Sequence, residues 1–126
     1  SADEWEDGTI LVDQEAARPA PEAPAVTAAY LVHNNQKIPI RETPFLVGKY
    51  NTTLQLHYAI YDNNKVSRNH ATILQENGQY FVRDNQSRNG TSVNGKAILP
   101  LQPVALQDGD EIKLYDEVLT FHLGAV

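Results

Sequence analysis

Two polar runs, Ser67-Arg68-Asn69-His70 and Ser87-Arg88-Asn89-Gly90-Thr91, hold the residues whose types and spacing could do chemistry. Each places a cation among small hydroxyl and amide donors, and each lies between stretches that read as strands. Two guanidinium groups with several neutral donors suit a doubly charged oxyanion such as a phosphoryl group. Other chemistries fit less well. Ser67, His70 and Asp84 could be written as a nucleophilic triad, but Ser67 and His70 stand three residues apart in one loop. No nucleophile elbow or oxyanion-hole pattern accompanies them. His33, His57, His70 and His122 have no metal-ligand spacing, and the chain contains no cysteine, so no metal or other cofactor is expected. The chain is expected not to be an enzyme.

The elements that must position these runs are short strands. Tyr30–His33, Lys37–Arg41, Phe45–Val47 and Tyr58–Tyr61 are apolar or alternating stretches broken by Asn34-Asn35 and Pro44. Ala71–Gln75 and Gln79–Arg83 flank Glu76-Asn77-Gly78, where Asn-Gly favours a primed hairpin turn. Asn94-Gly95 marks another tight turn. Asp108-Gly109-Asp110 precedes Glu111–Tyr115, and Asp116-Glu117 separates that run from Val118–Leu123. In the last strand Leu119, Phe121 and Leu123 share one face, with Thr120 and His122 on the other. No window carries a helical apolar period. The pattern implies an all-β fold, an antiparallel sandwich of many short strands with its functional loops gathered at the ends.

Charge divides the chain. Residues 1–29 contain seven acidic residues and one arginine, and residues 30–126 contain nine of each sign, so the whole net charge of −6 lies in the first segment. A charge-balanced domain with an acidic arm is poorly suited to nucleic acid, which needs a broad face of Lys and Arg. No apolar stretch reaches the ~20 residues of a membrane span, so no membrane contact is expected from this chain, and a cytoplasmic location is. With no methionine even at position 1, the chain is expected to be part of a longer protein, Ser1-Ala2 reading as a tag remnant. Residues 1–13 form an acidic tail with a short apolar run, Ile10-Leu11-Val12. Residues 14–28 form a Pro/Ala-rich, mostly disordered linker, and residues 29–126 form the sandwich domain.

The order Gly48-Lys49, Ser67-Arg68-x-His70, Ser87-Arg88-Asn89-Gly90-Thr91 and Val93-Asn94-Gly95 resembles the forkhead-associated (FHA) domain, a phosphothreonine-binding β-sandwich. The resemblance runs from roughly Ala29 to Leu123 and implies a sandwich of about eleven short strands. It implies that the residue at position 49 grips the phosphate. The family usually has arginine there, whereas this chain has Lys49, which lacks the planar fork needed for bidentate contact. Ser67 would donate to a phosphate oxygen, Arg68 would take over part of the grip, and Arg88 and Asn89 would contact the peptide backbone. His70 would brace its loop, with Gly48, Gly90, Thr91 and Asn94 shaping the surroundings.

Such a module implies a phosphothreonine-containing partner and a Ser/Thr protein kinase that makes it. Thr9 is a candidate acceptor within the chain itself. Acidic Glu4, Glu6 and Asp7 precede it and aliphatic residues follow, with Val12 at the third position after it, where FHA domains commonly discriminate. The fifteen residues 14–28 extend to about 50 Å at ~3.3 Å each and average about 21 Å as a coil. A domain of this size is roughly 30 Å across. The tail can therefore reach the loops at an effective concentration on the order of millimolar. The alternative is a phosphate-independent interaction domain that uses a sheet face or side loop.

Overall fold

Asparagine and glycine set the turns on which the architecture depends. In the computed structural model, which describes residues 28–126, Asn77-Gly78 and Asn94-Gly95 both occupy left-handed backbone, with φ of 52° and 81° and of 53° and 82°. Each closes a two-residue hairpin, pairing Glu76 with Gln79 and Val93 with Lys96. That is the turn geometry whose twist matches paired strands. Asn34-Asn35 does the same between His33 and Gln36. Residues 1–13 and 14–27, including Thr9, lie outside the described residues.

Eleven strands result, and no helix occurs among the described residues: β1 (Ala29–His33), β2 (Gln36–Pro39), β3 (Phe45–Lys49), β4 (Tyr58–Ile60), β5 (Ala71–Glu76), β6 (Gln79–Asp84), β7 (Thr91–Val93), β8 (Lys96–Ala97), β9 (Val104–Ala105), β10 (Glu111–Leu114) and β11 (Glu117–Leu123). They form a six-stranded sheet ordered β2-β1-β11-β10-β7-β8 and a five-stranded sheet ordered β4-β3-β5-β6-β9. Alternating side chains meet between the sheets: Leu31, Ile112, Leu114, Leu119 and Phe121 from the first, and Val47, Ile60, Ile73 and Val82 from the second, all at most 3% exposed. Burial of each side chain of this kind stabilises the fold by about 1.5–3 kcal/mol. Leu123, on the same face by parity, remains 43% exposed at the strand end opposite Ala29.

One pairing departs from the antiparallel expectation. β4 runs parallel to β3, with Val47 opposite Tyr58 and Lys49 opposite Ile60. Residues 50–57 carry the chain back along β3 before β4 begins. Asn51 turns that connection: its side-chain carbonyl accepts the amides of Thr53 and Leu54 at 3.0 and 2.6 Å, and its amide donates to the Lys49 carbonyl at 3.0 Å. At the other end, the His57 amide donates to the Leu46 carbonyl at 2.9 Å. Two consequences matter for function: β3 ends in Lys49 beside the β4–β5 loop, and the β6–β7 loop begins immediately after Asp84.

Candidate functional site

The two polar runs are cross-linked into one surface at one end of the sandwich. The Arg88 amide donates to Ser67 Oγ at 3.0 Å, Asn89 Nδ2 to the Lys65 carbonyl at 2.8 Å, and the Lys49 amide to the Ser67 carbonyl at 2.9 Å. Strand β3, the β4–β5 loop and the β6–β7 loop therefore hold one another directly.

His70 is the staple of this junction. It is fully buried. Its Nδ1 accepts the Ser67 amide at 3.0 Å and its Nε2 lies 2.9 Å from the Gly90 carbonyl. A carbonyl only accepts, so the proton sits on Nε2 and the ring bridges the two loops as a neutral imidazole. Burial pushes its pKa below the ordinary value, outweighing the raising effects of the Gly90 carbonyl and of Asp84. Ser67 meets His70 through its amide, leaving neither ring nitrogen to activate the hydroxyl. The Ser67–His70–Asp84 triad that could be written on paper is a bracing network here.

Asp84 organises the second loop. It is 1% exposed and accepts three hydrogen bonds, from the Ser87 amide at 3.0 Å, Ser87 Oγ at 2.5 Å and Thr91 Oγ1 at 2.6 Å. Burial alone would raise its pKa. The hydroxyls of Ser87 and Thr91 and the Ser87 amide, aided by His70, hold it below the usual carboxylate value. Ser87 Oγ in turn accepts the Gly90 amide at 3.0 Å.

The two glycines answer different demands. A Cβ on Gly48 would fall on the Arg68 carbonyl, 2.7 Å from its carbon and 3.0 Å from the Ser67 oxygen, so the β4–β5 loop lies against β3 only because that side chain is missing. Gly90 has open space around it and a φ of 84°. Its requirement is conformational.

This scaffold exposes donors at its surface. The side chains of Lys49, Arg68 and Arg88 make no hydrogen bond or ion pair among the described residues, and Arg68 and Arg88 are exposed. Ser67 Oγ, having accepted the Arg88 amide, still has its own proton to donate. Asn89 retains one N–H and its carbonyl oxygen. The expected residues Lys49, Ser67, Arg68, Arg88 and Asn89 thus share one rim, braced by Gly48, His70, Gly90 and Thr91. Asn94 stands apart, at the opposite end of β7. There it accepts the Glu111 amide at 2.9 Å and donates to Asp110 at 3.0 Å.

A second brace was not evident from sequence. Asn63 donates to Glu117 at 2.6 Å and to Asp116 at 2.8 Å, and its own carbonyl oxygens accept the Lys65 and Val66 amides. Glu117 also receives His33 Nε2 at 2.6 Å, while His33 Nδ1 meets the Tyr58 hydroxyl at 2.5 Å. With Val66 sunk into the core at 1% exposure, this network fixes the chain just before Ser67. The contributions of Asn63 and the Lys65 carbonyl depend on contacts between segments distant in sequence, which have no local signal. Among the described residues no group of three potential metal ligands occurs, and no helix is long and apolar enough to cross a membrane.

Comparison with known proteins bears on the fold and its family. The family model of the FHA domain matches residues 45–115. Over 121 residues, 94% of this chain, the sequence is 30% identical to the transcriptional regulatory protein EmbR of Mycobacterium tuberculosis, covering 29% of that protein. It is 42% identical over 64 residues, 46% of this chain, to the human angiogenic factor with G patch and FHA domains 1, covering 9% of its length. The chain thus spans less than a third of the curated relatives it matches. Among solved structures, EmbR in complex with a low-affinity phosphopeptide superimposes with a TM-score of 0.70 at 29% identity, over 79% of this chain and 25% of that one. The MEK1 FHA domain in complex with a HOP1 phosphothreonine peptide superimposes with a TM-score of 0.66 at 26% identity, over 79% of this chain and all of that one.

Proposed function

This chain belongs to the FHA domain family, and from that premise we propose that it is a phosphothreonine-dependent protein-binding module in Ser/Thr kinase signalling. The observation that carries the reading is the convergence of three cations, Lys49, Arg68 and Arg88, unpaired among the described residues, with the Ser67 hydroxyl on one braced rim. A phosphothreonine brings about −1.5 to −2 charges and three strong acceptor oxygens, which match that set of donors. The rim's backbone is held by hydrogen bonds between its loops, so the ordering left to binding is that of the cationic side chains. Ser67 donates to a phosphate oxygen, Lys49 and Arg68 neutralise the charge, and Arg88 and Asn89 hold the peptide backbone. Lys49 contributes a point charge where a bidentate guanidinium would also fix orientation, which places more of the grip on Arg68.

The reading extends to regulation. Phosphorylated Thr9, in the chain's own acidic tail, occupies the rim and masks it from other partners, in a cytoplasmic setting where a Ser/Thr kinase sets the balance. Support comes from the acidic and aliphatic residues around Thr9 and from the reach of residues 14–28.

A fluorescence-anisotropy titration of the unphosphorylated full chain tests this, using a labelled peptide of residues 3–15 with Thr9 phosphorylated or plain. Binding is expected for the phosphorylated form alone, weakened about ten-fold by Ser67→Ala through loss of one charge-assisted hydrogen bond. Equal binding of both forms would overturn phosphate dependence and favour a sheet-face mode of interaction. Failure of the tail peptide alongside success of another phosphothreonine peptide would remove the self-masking and leave the module.

A further inference from the structure

The outer face of the five-stranded sheet carries a groove that runs up to the binding rim, and one cation lies in it. Thr72 and Arg83 are direct cross-strand partners, as are Leu46 and Thr72, so all three side chains project from the same face, away from the core. Pro44, Leu46 and Leu101 line the groove with Thr72, Arg83 and Asn85. Arg83 is half-buried, and its Nε donates to Asn85 Oδ1 at 3.2 Å. The two terminal nitrogens of its guanidinium have no partner among the described residues.

The groove is continuous with the rim through asparagine. Asn85 Nδ2 donates to Asn69 Oδ1 at 2.8 Å and to Thr72 Oγ1 at 2.8 Å, and its backbone amide donates to the His70 carbonyl at 2.9 Å. Asn69 is the neighbour of Arg68, and Asn85 lies two residues before Ser87. At the groove's edge His57 Nε2 is 2.8 Å from Glu42, and no carboxylate among the described residues pairs with Arg83.

We propose that Arg83 forms a second anionic subsite, which takes the carboxylate of a glutamate or aspartate flanking the phosphothreonine of a bound partner. The inference rests on the phosphothreonine reading of the rim and extends it to peptide selectivity. A guanidinium pinned through Nε presents its remaining N–H groups as a fork matched to a carboxylate. Asn69 lines the groove together with Arg83 and adjoins Arg68 of the rim, so a peptide leaving the rim past Asn69 enters the groove that holds Arg83.

The test uses the full chain and an alanine-based peptide with one central phosphothreonine, in which a single glutamate is moved through the four positions on either side. At least one position is expected to tighten binding about three- to five-fold, the scale of a partly exposed ion pair, and the gain should shrink at high salt. Arg83→Met, which keeps the stem that covers the sheet, should abolish that gain while binding the glutamate-free phosphopeptide as wild type does. No glutamate position giving a gain, or a gain that survives in Arg83→Met, would overturn the subsite. Binding of the glutamate-free phosphopeptide separately tests the rim: if no phosphopeptide binds at all, both readings fall.

Discussion

Lowering the pH should loosen this domain through His70, and the size of the effect follows from its surroundings. The ring is buried, neutral and saturated, accepting the Ser67 amide and donating to the Gly90 carbonyl. Protonation would put a second donor where Nδ1 now accepts, so the folded-state pKa lies below the ordinary 6.5, chiefly because of burial. The unfolded chain, in contrast, binds the proton near that ordinary value. Below about pH 6.5 the unfolded state therefore holds more protons than the folded one, and stability rises with pH. The contribution is complete above 6.5 and declines as pH falls, until the folded-state pKa is reached. Between pH 7.5 and 5.5 this linkage removes at most about 1.4 kcal/mol, the limit at which the folded ring stays neutral throughout. His70→Gln lacks the proton and should lack this slope, while losing about 2–4 kcal/mol at pH 7.5 because two buried backbone groups lose their partner. Urea unfolding followed by far-ultraviolet circular dichroism at both pH values measures each number. The other three histidines are common to both proteins and cancel in the difference. Parallel pH slopes for wild type and His70→Gln would refute the reasoning.

Further expectations follow from the same scaffold. Gly48→Ala drives a methyl group into the Arg68 carbonyl. It should cost about 1–3 kcal/mol and weaken phosphopeptide binding as well, because Ser67 and Arg68 must move; a thermal melt with a titration would contradict this if both matched wild type. Asp84→Asn replaces an acceptor that serves three donors with a group that carries two donors of its own. A loss of about 2–4 kcal/mol at neutral pH is expected, measured by urea unfolding. With its pKa held low, Asp84 stabilises the fold above about pH 4, and this is lost as pH falls through the folded value, so Asp84→Asn should flatten the acid limb of the stability curve.

Much of this molecule was legible from sequence because its signals are local. Asn77-Gly78 and Asn94-Gly95 fix hairpins through backbone preference alone, and the alternation of Leu119, Thr120, Phe121 and His122 declares which face is buried. The two polar runs were equally visible, since their residues are contiguous. What escaped depends on how loops fold back and on contacts between distant segments. Asp84 alternates as a core position on β6, yet its burial makes sense only once Ser87 and Thr91 curl back over it. Asn63 braces the first loop through Glu117, 54 residues away. The parallel entry of β4 depends on the path of residues 50–57, which no apolar pattern encodes. Asn94 sits in a motif that follows the second run closely, but the straight course of β7 carries it to the opposite end.

The most direct test of the central claim is a nitrogen–proton NMR titration of the full chain with a phosphothreonine peptide and its unphosphorylated twin. Phosphate recognition at the braced rim predicts that only the phosphorylated peptide shifts signals, concentrated at Lys49, Ser67, Arg68, Arg88 and Asn89. Shifts of equal size from both peptides, or shifts gathered on the β8 and β9 edges instead of these loops, would contradict it.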